Sequence, residues 1–371
     1  MKITKVEAIL CRLPIIKDMA DGSQEVLIVR VETDEGITGL GEIVSGSYVC
    51  KAIVEAPRSA PRRWGLAELV LGEDPFEIGT IWDKLYRGTL WFGRRGAAIH
   101  AMSGIDIALW DIVGKATKTP VYKLMGGAYK RKIRAYASTL WGETAEETAK
   151  LAEPFLERGL TAVKFGWGPM GKDPELDVAL VRSARKVLGD KIDLMVDVGL
   201  QWDAATAIHM VRRFEPYNIF WLEEPLLQDD LEGYAKLADT VDMRIACGEA
   251  EGTIYSFREL ADQGHIDVLQ PDVCRAGGLT TCRQIGELAA QKGLWAVPHC
   301  FSTGINIAAS VHWAAANPAA PLVEFPVRES PLLNDLVAGY PPLVDGYVTV
   351  SDKPGLGIEL NQEVLERYRV K

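Results

Sequence analysis

Seven polar residues stand at the ends of short apolar runs in the second half of the chain. They are Lys164, Asp197, Glu223, Glu249, Asp272, His299 and Glu324. Consecutive members lie 23 to 33 residues apart, close to the length of one strand–helix unit. In a parallel barrel such positions meet at the carboxyl-terminal mouth, where barrel enzymes carry their chemistry. We therefore expect the seven side chains around one site.

Three of these residues, Asp197, Glu223 and Glu249, are carboxylates on consecutive predicted strands. Their mutual repulsion makes such a cluster unstable unless a cation lies within it. Oxygen ligands with positions open to water and substrate suit Mg²⁺. Any one of these acids alone would be explained more simply as a residue that stabilises a helix N-terminus. Three acids at matched spacing instead predict a metal site.

His299 and Asp272 end two adjacent predicted strands. Asp272 could then accept a hydrogen bond from one ring nitrogen of His299, which leaves the other nitrogen basic and directed into the pocket. This pattern predicts a general-base dyad. The alternative is a buried histidine with purely structural contacts, and we keep that interpretation for the histidines in helical or loop contexts, which are His100, His209, His265 and His312.

Lys164 and Glu324 both lie inside apolar strands. A lysine in such a position is costly unless it emerges at a barrel mouth or pairs with an acid. Beside a carboxylate substrate, Lys164 could neutralise developing negative charge. Glu324 is either a structural partner of a barrel cation or, when protonated, a hydrogen-bond donor to the substrate carboxylate.

The elements that position these residues follow from hydrophobic periodicity. Residues 1–12 and 24–32 alternate apolar and polar side chains, and Asp34-Glu35-Gly36 forms a turn after them. Helical spacing follows over about 75–115. Strands followed by helices predict an α+β unit, which ends near Gly126-Gly127.

Beyond residue 126 short β-branched or aliphatic runs alternate with helical stretches. We predict eight strands: Ile133–Ala137, Thr161–Phe165, Ile192–Val196, Ile219–Leu222, Arg244–Cys247, Ile266–Leu269, Leu294–Val297 and Leu322–Phe325. Eight evenly spaced strands joined by helices are typical of a closed parallel barrel. A doubly wound open sheet is less favoured, because its glycine-rich turn follows an early strand and Gly277-Gly278 lies late in the chain.

Composition restricts the class of protein. The length of 371 residues favours two domains, and 48% hydrophobic with 25% charged residues is the balance of a globular protein. A net charge of −10 argues against nucleic acid and anionic membranes as partners. The first residues lack a signal-peptide core and no apolar run has spanning length. Six cysteines without paired spacing fit a reducing cytoplasm.

Several segments together resemble the mandelate racemase branch of the enolase superfamily over essentially the whole chain. They are the helical run 101–115, Trp221-Leu-Glu-Glu-Pro225, Gly248-Glu249, Gln270-Pro-Asp272 and Pro298-His299. Each motif alone is weak, but their order and spacing together are highly specific.

The resemblance implies a modified TIM barrel, (β/α)7β, with an N-terminal α+β capping domain. We assign residues 1–125 to the capping domain with its specificity loops, 126–325 to the barrel, and 326–371 to a C-terminal segment that packs back on the capping domain. It also implies a homo-oligomer, from dimer to octamer, and a small carboxylate substrate.

For the site, the resemblance implies one Mg²⁺ per subunit, held by Asp197, Glu223 and Glu249. Glu223 rather than its neighbour Glu224 is the ligand, because the family motif tolerates Gln at the second position. Lys164 and Glu324 would assist the substrate carboxylate. His299, oriented by Asp272, would remove the α-proton.

One departure from the family pattern affects the expected reaction. Racemases of this branch carry Lys-x-Lys on the second barrel strand, whereas this chain has Lys164-Phe165-Gly166. Gly166 cannot transfer a proton, so racemisation would need a residue from a capping loop. We therefore predict dehydration of an acid sugar to a 2-keto-3-deoxy acid. The alternatives are a racemase, an epimerase or a lactone cycloisomerase, a non-catalytic sugar-acid binding protein and, least favoured, a metal-dependent aldolase.

Substrate selection is expected from the loop Pro14–Gln24 and from residues 44–51. Lys17 and Tyr48 are the polar candidates there, although an exposed lysine is more often simply solvated. Trp167 could form a pocket wall, and packing over the barrel rim is the equal alternative.

Overall fold

The computed structural model describes residues 1–17, 22–60 and 63–371. The chain begins with a three-stranded antiparallel sheet of β1 (Ile3–Arg12), β2 (Glu25–Thr33) and β3 (Thr38–Ile43). The first two strands and the turn after them were predicted, and Gly36 supplies the positive φ (76°) which that turn requires. Part of the predicted specificity loop, residues 18–21, lies outside the described residues.

Five helices in the described part of the chain complete the N-terminal domain. They are α1 (Ser47–Glu55), α2 (Leu66–Val70), α3 (Ile78–Thr89), α4 (Ala97–Ala116) and α5 (Val121–Leu124). Within the described residues, α4 alone is long and apolar enough to cross a membrane, but most of it is buried inside the fold. It packs against β3 so closely that a Cβ at Gly41 would lie 1.9 Å from the carbonyl oxygen of Gly104. Only glycine permits this contact, which fixes the end of β3 relative to α4.

Eight parallel strands form the second domain, each near its predicted position. They are β4 (Lys132–Leu140), β5 (Ala162–Gly166), β6 (Asp193–Asp197), β7 (Ile219–Glu223), β8 (Arg244–Cys247), β9 (Val268–Leu269), β10 (Trp295–Ala296) and β11 (Leu322–Pro326). The helices between them are α6 (Ala145–Glu157), α7 (Pro174–Leu188), α8 (Ala204–Phe214), α9 (Leu231–Ala238), α10 (Thr253–Asp262), α11 (Gly278–Lys292) and α12 (Gly304–Ala315). A 3-10 turn, Glu215–Tyr217, follows α8.

The strands pair in the order β10-β9-β8-β7-β6-β5-β4-β11. The seam between β10 and β11 departs from the expected closed barrel, because within the described residues no strand ladder joins them. β10 is only two residues long, and Pro298 after it has no N–H to donate. The Ala296 N–H instead donates to the carbonyl oxygen of Ala319 at 2.9 Å.

One side chain from each strand region packs at the centre of the curled sheet. These buried residues are Tyr136, Ala162, Met195, Trp221, Ala246, Val268, Val297 and Leu322. A cluster with contributions from all eight positions requires the sheet to curl around a common interior, as in a barrel. The predicted class, a modified TIM barrel with an α+β cap, is confirmed.

The last residues return to the N-terminal domain. They contain α13 (Pro331–Asn334), β12 (Val337–Ala338), β13 (Tyr347–Thr349), β14 (Glu359–Leu360) and α14 (Gln362–Tyr368). Strand β13 pairs antiparallel with β4, and the Val370 N–H donates to the carbonyl oxygen of Leu10 at 2.8 Å. Arg369 also donates to Glu7 at 2.7 Å. These contacts tie the chain end to β1.

Candidate active site

The strand ends bring three acids together at the barrel mouth. Asp197 and Glu223 are paired neighbours at the ends of β6 and β7. With Glu249, which follows β8, they present carboxylate oxygens that all lie within 4.8 Å of one another. All three residues are buried, with relative exposures of 3%, 0% and 8%.

This cluster fits a divalent cation better than a set of helix caps. The helices that follow β6 and β7 are capped by other acids, Asp203 and Asp230, and α10 after β8 has Gly252 at its N-cap. Burial, followed by the charge of Glu223, raises the pKa of Asp197 well above its usual range. Three ionised carboxylates at this separation therefore need a cation, and a set of hard oxygen ligands suits Mg²⁺.

Glu224 has contacts of a different kind from those of Glu223. Its Oε1 accepts the Gly248 N–H at 2.9 Å, and its Oε2 accepts from Gln228 at 2.8 Å. Burial raises the pKa of Glu224 to about 7. These contacts join the loop after β7 to the loop after β8 and leave Glu223 as the member of the three-acid cluster.

Lys164 lies between two acids at the same mouth. Its Nζ contacts Glu223 and lies 2.9 Å from Oε1 of Glu324. Burial opposes the charge, but these two carboxylates raise the pKa of Lys164 well above its usual value. The other oxygen of Glu324 accepts the Cys300 N–H at 2.7 Å. Glu324 therefore forms an ion pair through Oε1 and accepts a hydrogen bond through Oε2, which links Lys164 to the seam beside β11.

His299 and Asp272 form the close pair expected from the sequence. The two residues are bridge partners, and Nδ1 of His299 lies 2.8 Å from Oδ2 of Asp272. Because a carboxylate only accepts, Nδ1 carries the proton and Nε2 is the nitrogen available for proton transfer. Nε2 lies 3.2 Å from Oε2 of Glu249. Burial opposes protonation of His299, yet the charge of Glu249 and the contact with Asp272 raise its pKa to about 9.

A cavity of about 410 Å³ opens directly above these groups. Lys164, Asp197, Glu249, His299 and Glu324 line it, whereas Glu223 and Asp272 lie behind the surface. The remaining wall includes the hydroxyl-bearing and apolar residues Ser138, Thr139, Leu140, Trp167 and Phe301. The cavity is large enough for a small organic acid and carries groups that can move a proton.

The three residues predicted for substrate contact lie in different places. Trp167 lines the cavity, and its ring packs over Gly199. Lys17 is exposed, and its backbone N–H donates to Gln24 at 2.7 Å. Tyr48 is 53% exposed and borders a separate apolar groove with Trp64. In the described residues only Trp167 is brought to the cavity wall.

Gly166 borders the cavity on β5, next to Asp197 on β6. A Cβ built on Gly166 would lie 2.5 Å from Oδ2 and 3.0 Å from Cβ of Asp197. A side chain here would displace one of the clustered carboxylates. The local packing therefore leaves no room for a lysine side chain at position 166 unless Asp197 moves.

Two residues at this site were not predicted from the sequence. Arg275 lines the cavity, and its Nη1 donates to the carbonyl oxygen of Glu249 at 3.1 Å. Glu42 is fully buried and accepts hydrogen bonds from Ser302 and Thr303. The position of Arg275, three residues after Asp272, is a local signal for the first. No local signal marks Glu42, because its partners lie about 260 residues away.

Comparisons with known proteins agree with this geometry. The mandelate racemase/muconate lactonizing enzyme N-terminal domain matches residues 7–126, and the enolase C-terminal domain-like family matches residues 147–364. An arabinonate dehydratase from Saccharolobus solfataricus is 34% identical over 96% of this chain and 94% of its own. A D-galactarolactone cycloisomerase from Agrobacterium fabrum is 32% identical, with 93% and 91% covered.

Solved structures share the whole architecture. A 3,6-anhydro-D-galactonate cycloisomerase from Zobellia galactanivorans superposes with a TM-score of 0.91 at 31% identity and covers 100% of both chains. A racemase from Streptomyces coelicolor A3(2), solved with bound magnesium, has a TM-score of 0.88 at 31% identity and covers 99% of this chain and 100% of its own.

Proposed function

Because this chain belongs to the mandelate racemase/muconate lactonizing enzyme branch of the enolase superfamily, we propose that it is an acid-sugar dehydratase. The substrate is an aldonate or aldarate, and the product is a 2-keto-3-deoxy acid. The observation that carries the proposal is the Asp272/His299 pair, whose second ring nitrogen, Nε2, faces the three-acid cluster at the cavity floor. Several similar proteins are named as acid-sugar dehydratases, which supports the same reaction class.

In this proposal His299 performs both proton transfers. Nε2 takes the proton from the carbon next to the substrate carboxylate, and Asp272 stabilises the imidazolium that results. The electron pair left on that carbon forms the C=C bond as the β-hydroxyl departs. His299 returns its proton to the departing oxygen, so that water leaves. The enol product then tautomerises to the keto acid.

Asp197, Glu223 and Glu249 would hold one Mg²⁺ per subunit. When bound, Mg²⁺ supplies Lewis-acid stabilisation for the negative charge that develops on the substrate carboxylate. Lys164 adds a second positive charge at the same floor, where it is held by Glu223 and Glu324. In the loaded site, Glu324 would contact the substrate carboxylate together with Lys164.

The test is a screen of mono- and diacid sugars with Mg²⁺, in which 2-keto acid product is detected by semicarbazone absorbance. We expect a hit that EDTA abolishes and that His299→Asn reduces by several orders of magnitude. Full dehydration by the His299→Asn variant would refute the assigned base. Stereochemically defined deuterium exchange on the hit shows which face loses the proton.

A cycloisomerase is the second candidate, because relatives and a solved structure with near-complete coverage carry that name. It would expel the ring oxygen of a lactone or anhydro acid in place of a free hydroxyl, and the enol would again become a keto acid. The product would then keep the mass of its substrate, whereas dehydration lowers that mass by one water, and mass spectrometry of the hit separates the two. A racemase or epimerase would need a second acid/base group in place of Gly166. A non-catalytic binding protein would need no base, and the dyad argues against it.

We also propose a homo-oligomer, from dimer to octamer, located in the cytoplasm. The family supports the first, and six free buried cysteines are compatible with a reducing compartment. A small carboxylate is the proposed partner. The net charge of −10 argues against nucleic acid and anionic membranes.

A further inference from the structure

Glu42, at the end of β3, makes a dense set of contacts from the capping domain to the barrel. Its Oε1 accepts the Ser302 hydroxyl at 2.5 Å and the Thr303 N–H at 3.4 Å. Its Oε2 accepts the Thr303 hydroxyl at 2.7 Å and the Asn306 N–H at 3.1 Å. Each carboxylate oxygen thus binds one hydroxyl and one backbone N–H, and the residue is 0% exposed.

All four donors belong to the start of α12, the helix that directly follows the strand end carrying His299. An acid at a helix N-terminus satisfies unpaired N–H groups and complements the helix dipole. Here the acid comes from another domain. The first turn of α12 is therefore anchored to β3, which is itself held against α4 by the close contact at Gly41.

The anchored turn contacts the catalytic pair through Asn306. The Asn306 side-chain amide donates to Oδ1 of Asp272 at 3.3 Å and lies 3.5 Å from Oδ2. Oδ2 is the oxygen that binds His299. A continuous chain of hydrogen bonds thus runs from Glu42 through Asn306 to Asp272 and His299.

A second contact from the same strand end reaches Asp272 from another side. The carbonyl oxygen of Val44, two residues after Glu42, accepts from Nε of Arg275 at 2.9 Å. That Nε lies 3.8 Å from Oδ2 of Asp272, and Nη1 of Arg275 lies 3.3 Å from Oε1 of Glu249. Residues 42–44 of the capping domain are therefore linked to the dyad twice, through Asn306 and through Arg275.

We propose that Glu42 is a positioning residue for proton transfer, which holds the Asp272/His299 pair in register through the first turn of α12. This inference rests on the proposed function, because it takes His299 as the base. It gives the capping domain a part in acid–base chemistry in addition to enclosing the substrate. Misplacement of a base by about 1 Å can reduce the rate by roughly 100-fold.

Glu42→Gln is the sharpest variant, since it keeps the shape of the side chain. In either orientation of the amide, its NH₂ group would face a backbone N–H that donates to Glu42 in the wild type, so that hydrogen bond would be lost. Asp111→Asn is the matched control. Asp111 is a fully buried carboxylate that also accepts a backbone N–H on each oxygen, from Leu40 and Leu356, and it pairs with Lys115. Among the described residues, no hydrogen bond links Asp111 to the dyad.

Kinetics of the hit acid sugar are compared among wild type, Glu42→Gln and Asp111→Asn. We expect both variants to lower the thermal midpoint. Only Glu42→Gln should lower kcat, by about 10- to 100-fold with little change in KM. It should also move the acid limb of the kcat/KM profile to lower pH, because a loosened Asp272 stabilises the imidazolium less. Equal kcat and pH profiles in the two variants would overturn the inference.

Asn306→Ala provides a second route if Glu42→Gln folds poorly, since it removes the contact to Asp272 and keeps the backbone contact to Glu42. Its loss in kcat should overlap with that of Glu42→Gln in the double variant, whereas Asp111→Asn should combine additively. Additive losses for Glu42→Gln and Asn306→Ala would contradict the chain of contacts. If His299→Asn remains fully active, the proposed base fails instead, independently of these variants.

A readout that needs no turnover is the Nδ1–H proton signal of His299 in histidine-labelled protein. We expect this signal to shift or broaden in Glu42→Gln and to stay unchanged in Asp111→Asn. An unchanged signal in both variants would show that the dyad is held without Glu42.

Discussion

Nε2 of His299 lies 3.2 Å from Oε2 of Glu249, so the proposed base and a proposed metal ligand share one short contact. Without metal, Glu249 and Asp272 raise the pKa of His299 to about 9, although burial acts against protonation. His299 and Arg275 in turn lower the pKa of Glu249 to about 2 against the effect of burial. A protonated His299 therefore competes with a divalent cation for the same carboxylate.

The first prediction is that Mg²⁺ binding releases a proton from His299. A cation on Glu249 disfavours the imidazolium, so the pKa of His299 falls below about 9 in the loaded form. Below pH 9 the metal-free form then carries more protons than the loaded form, and the apparent Mg²⁺ affinity should rise with pH towards 9. Calorimetric titration at pH 8 in two buffers with different ionisation enthalpies measures the released protons.

His299→Gln is the control for this measurement, because it cannot titrate there. Wild type should release up to one proton more per bound ion than the variant. Equal proton release by the two proteins would show that His299 is neutral before metal binds.

The second prediction concerns the metal ligands. Asp197→Asn, Glu223→Gln and Glu249→Gln should each raise the dissociation constant for Mg²⁺ by at least about 100-fold, since each removes a charged oxygen ligand. Asp203→Asn should leave it unchanged, because Asp203 only caps α8 through the Thr206 N–H. Electron paramagnetic resonance of Mn²⁺, displaced by added Mg²⁺, measures the dissociation constant in the ligand variants and in Asp203→Asn. A similar loss of affinity in Asp203→Asn would mean that the effect is not specific to the cluster.

The third prediction is that a lysine cannot simply be restored on β5. In Gly166→Lys, the Cβ would approach Oδ2 of Asp197 to 2.5 Å, so the carboxylate must move. We expect weaker Mg²⁺ binding by about 10-fold or more and no gain of racemisation. Gly166→Ala serves as the control for bulk alone. A Gly166→Lys variant that racemises an acid sugar at wild-type metal affinity would contradict this account.

The sequence was sufficient to predict the barrel and the types of residue at its mouth. Apolar runs marked all eight strands, and the first polar residue after each run identified Asp197, Glu223 and His299. This worked because parallel strands end at one edge, so that spacing along the chain predicts proximity in space. Strand β3 was missed because Gly39 and Gly41 interrupt its alternation, and their reason, the packing of α4 on the strand, is a tertiary contact.

Contacts between the domains could not be predicted from local patterns. Glu42 binds residues about 260 positions away, and Arg275 binds Val44 from a distance of 231 positions. No periodicity relates such positions, since they depend on how the cap sits on the barrel. The positions of Lys17 and Tyr48 relative to the cavity could not be predicted for the same reason, because tertiary packing sets the conformation of loops.

The last prediction links His312 to stability in acid. His312 is fully buried in α12, where Nδ1 accepts the Tyr122 N–H and Nε2 donates to the carbonyl oxygen of Leu356, both at 3.2 Å. Burial lowers its pKa from 6.5 to about 4. The unfolded chain therefore binds a proton more readily between these values. The stability that neutral His312 contributes is complete above pH 6.5 and is lost as pH falls towards 4, by up to roughly 3 kcal/mol.

His312→Gln keeps a donor for Leu356 but removes this titration. Its free energy of unfolding should be lower than that of wild type at pH 7 and should fall less steeply between pH 6.5 and 4.5. His265→Gln, a change on an exposed residue beside Asp239, should retain the wild-type slope. Urea unfolding followed by tryptophan fluorescence across this pH range measures all three proteins. If the free energy of unfolding depends on pH in the same way in wild type and His312→Gln, the acid sensitivity arises from other groups.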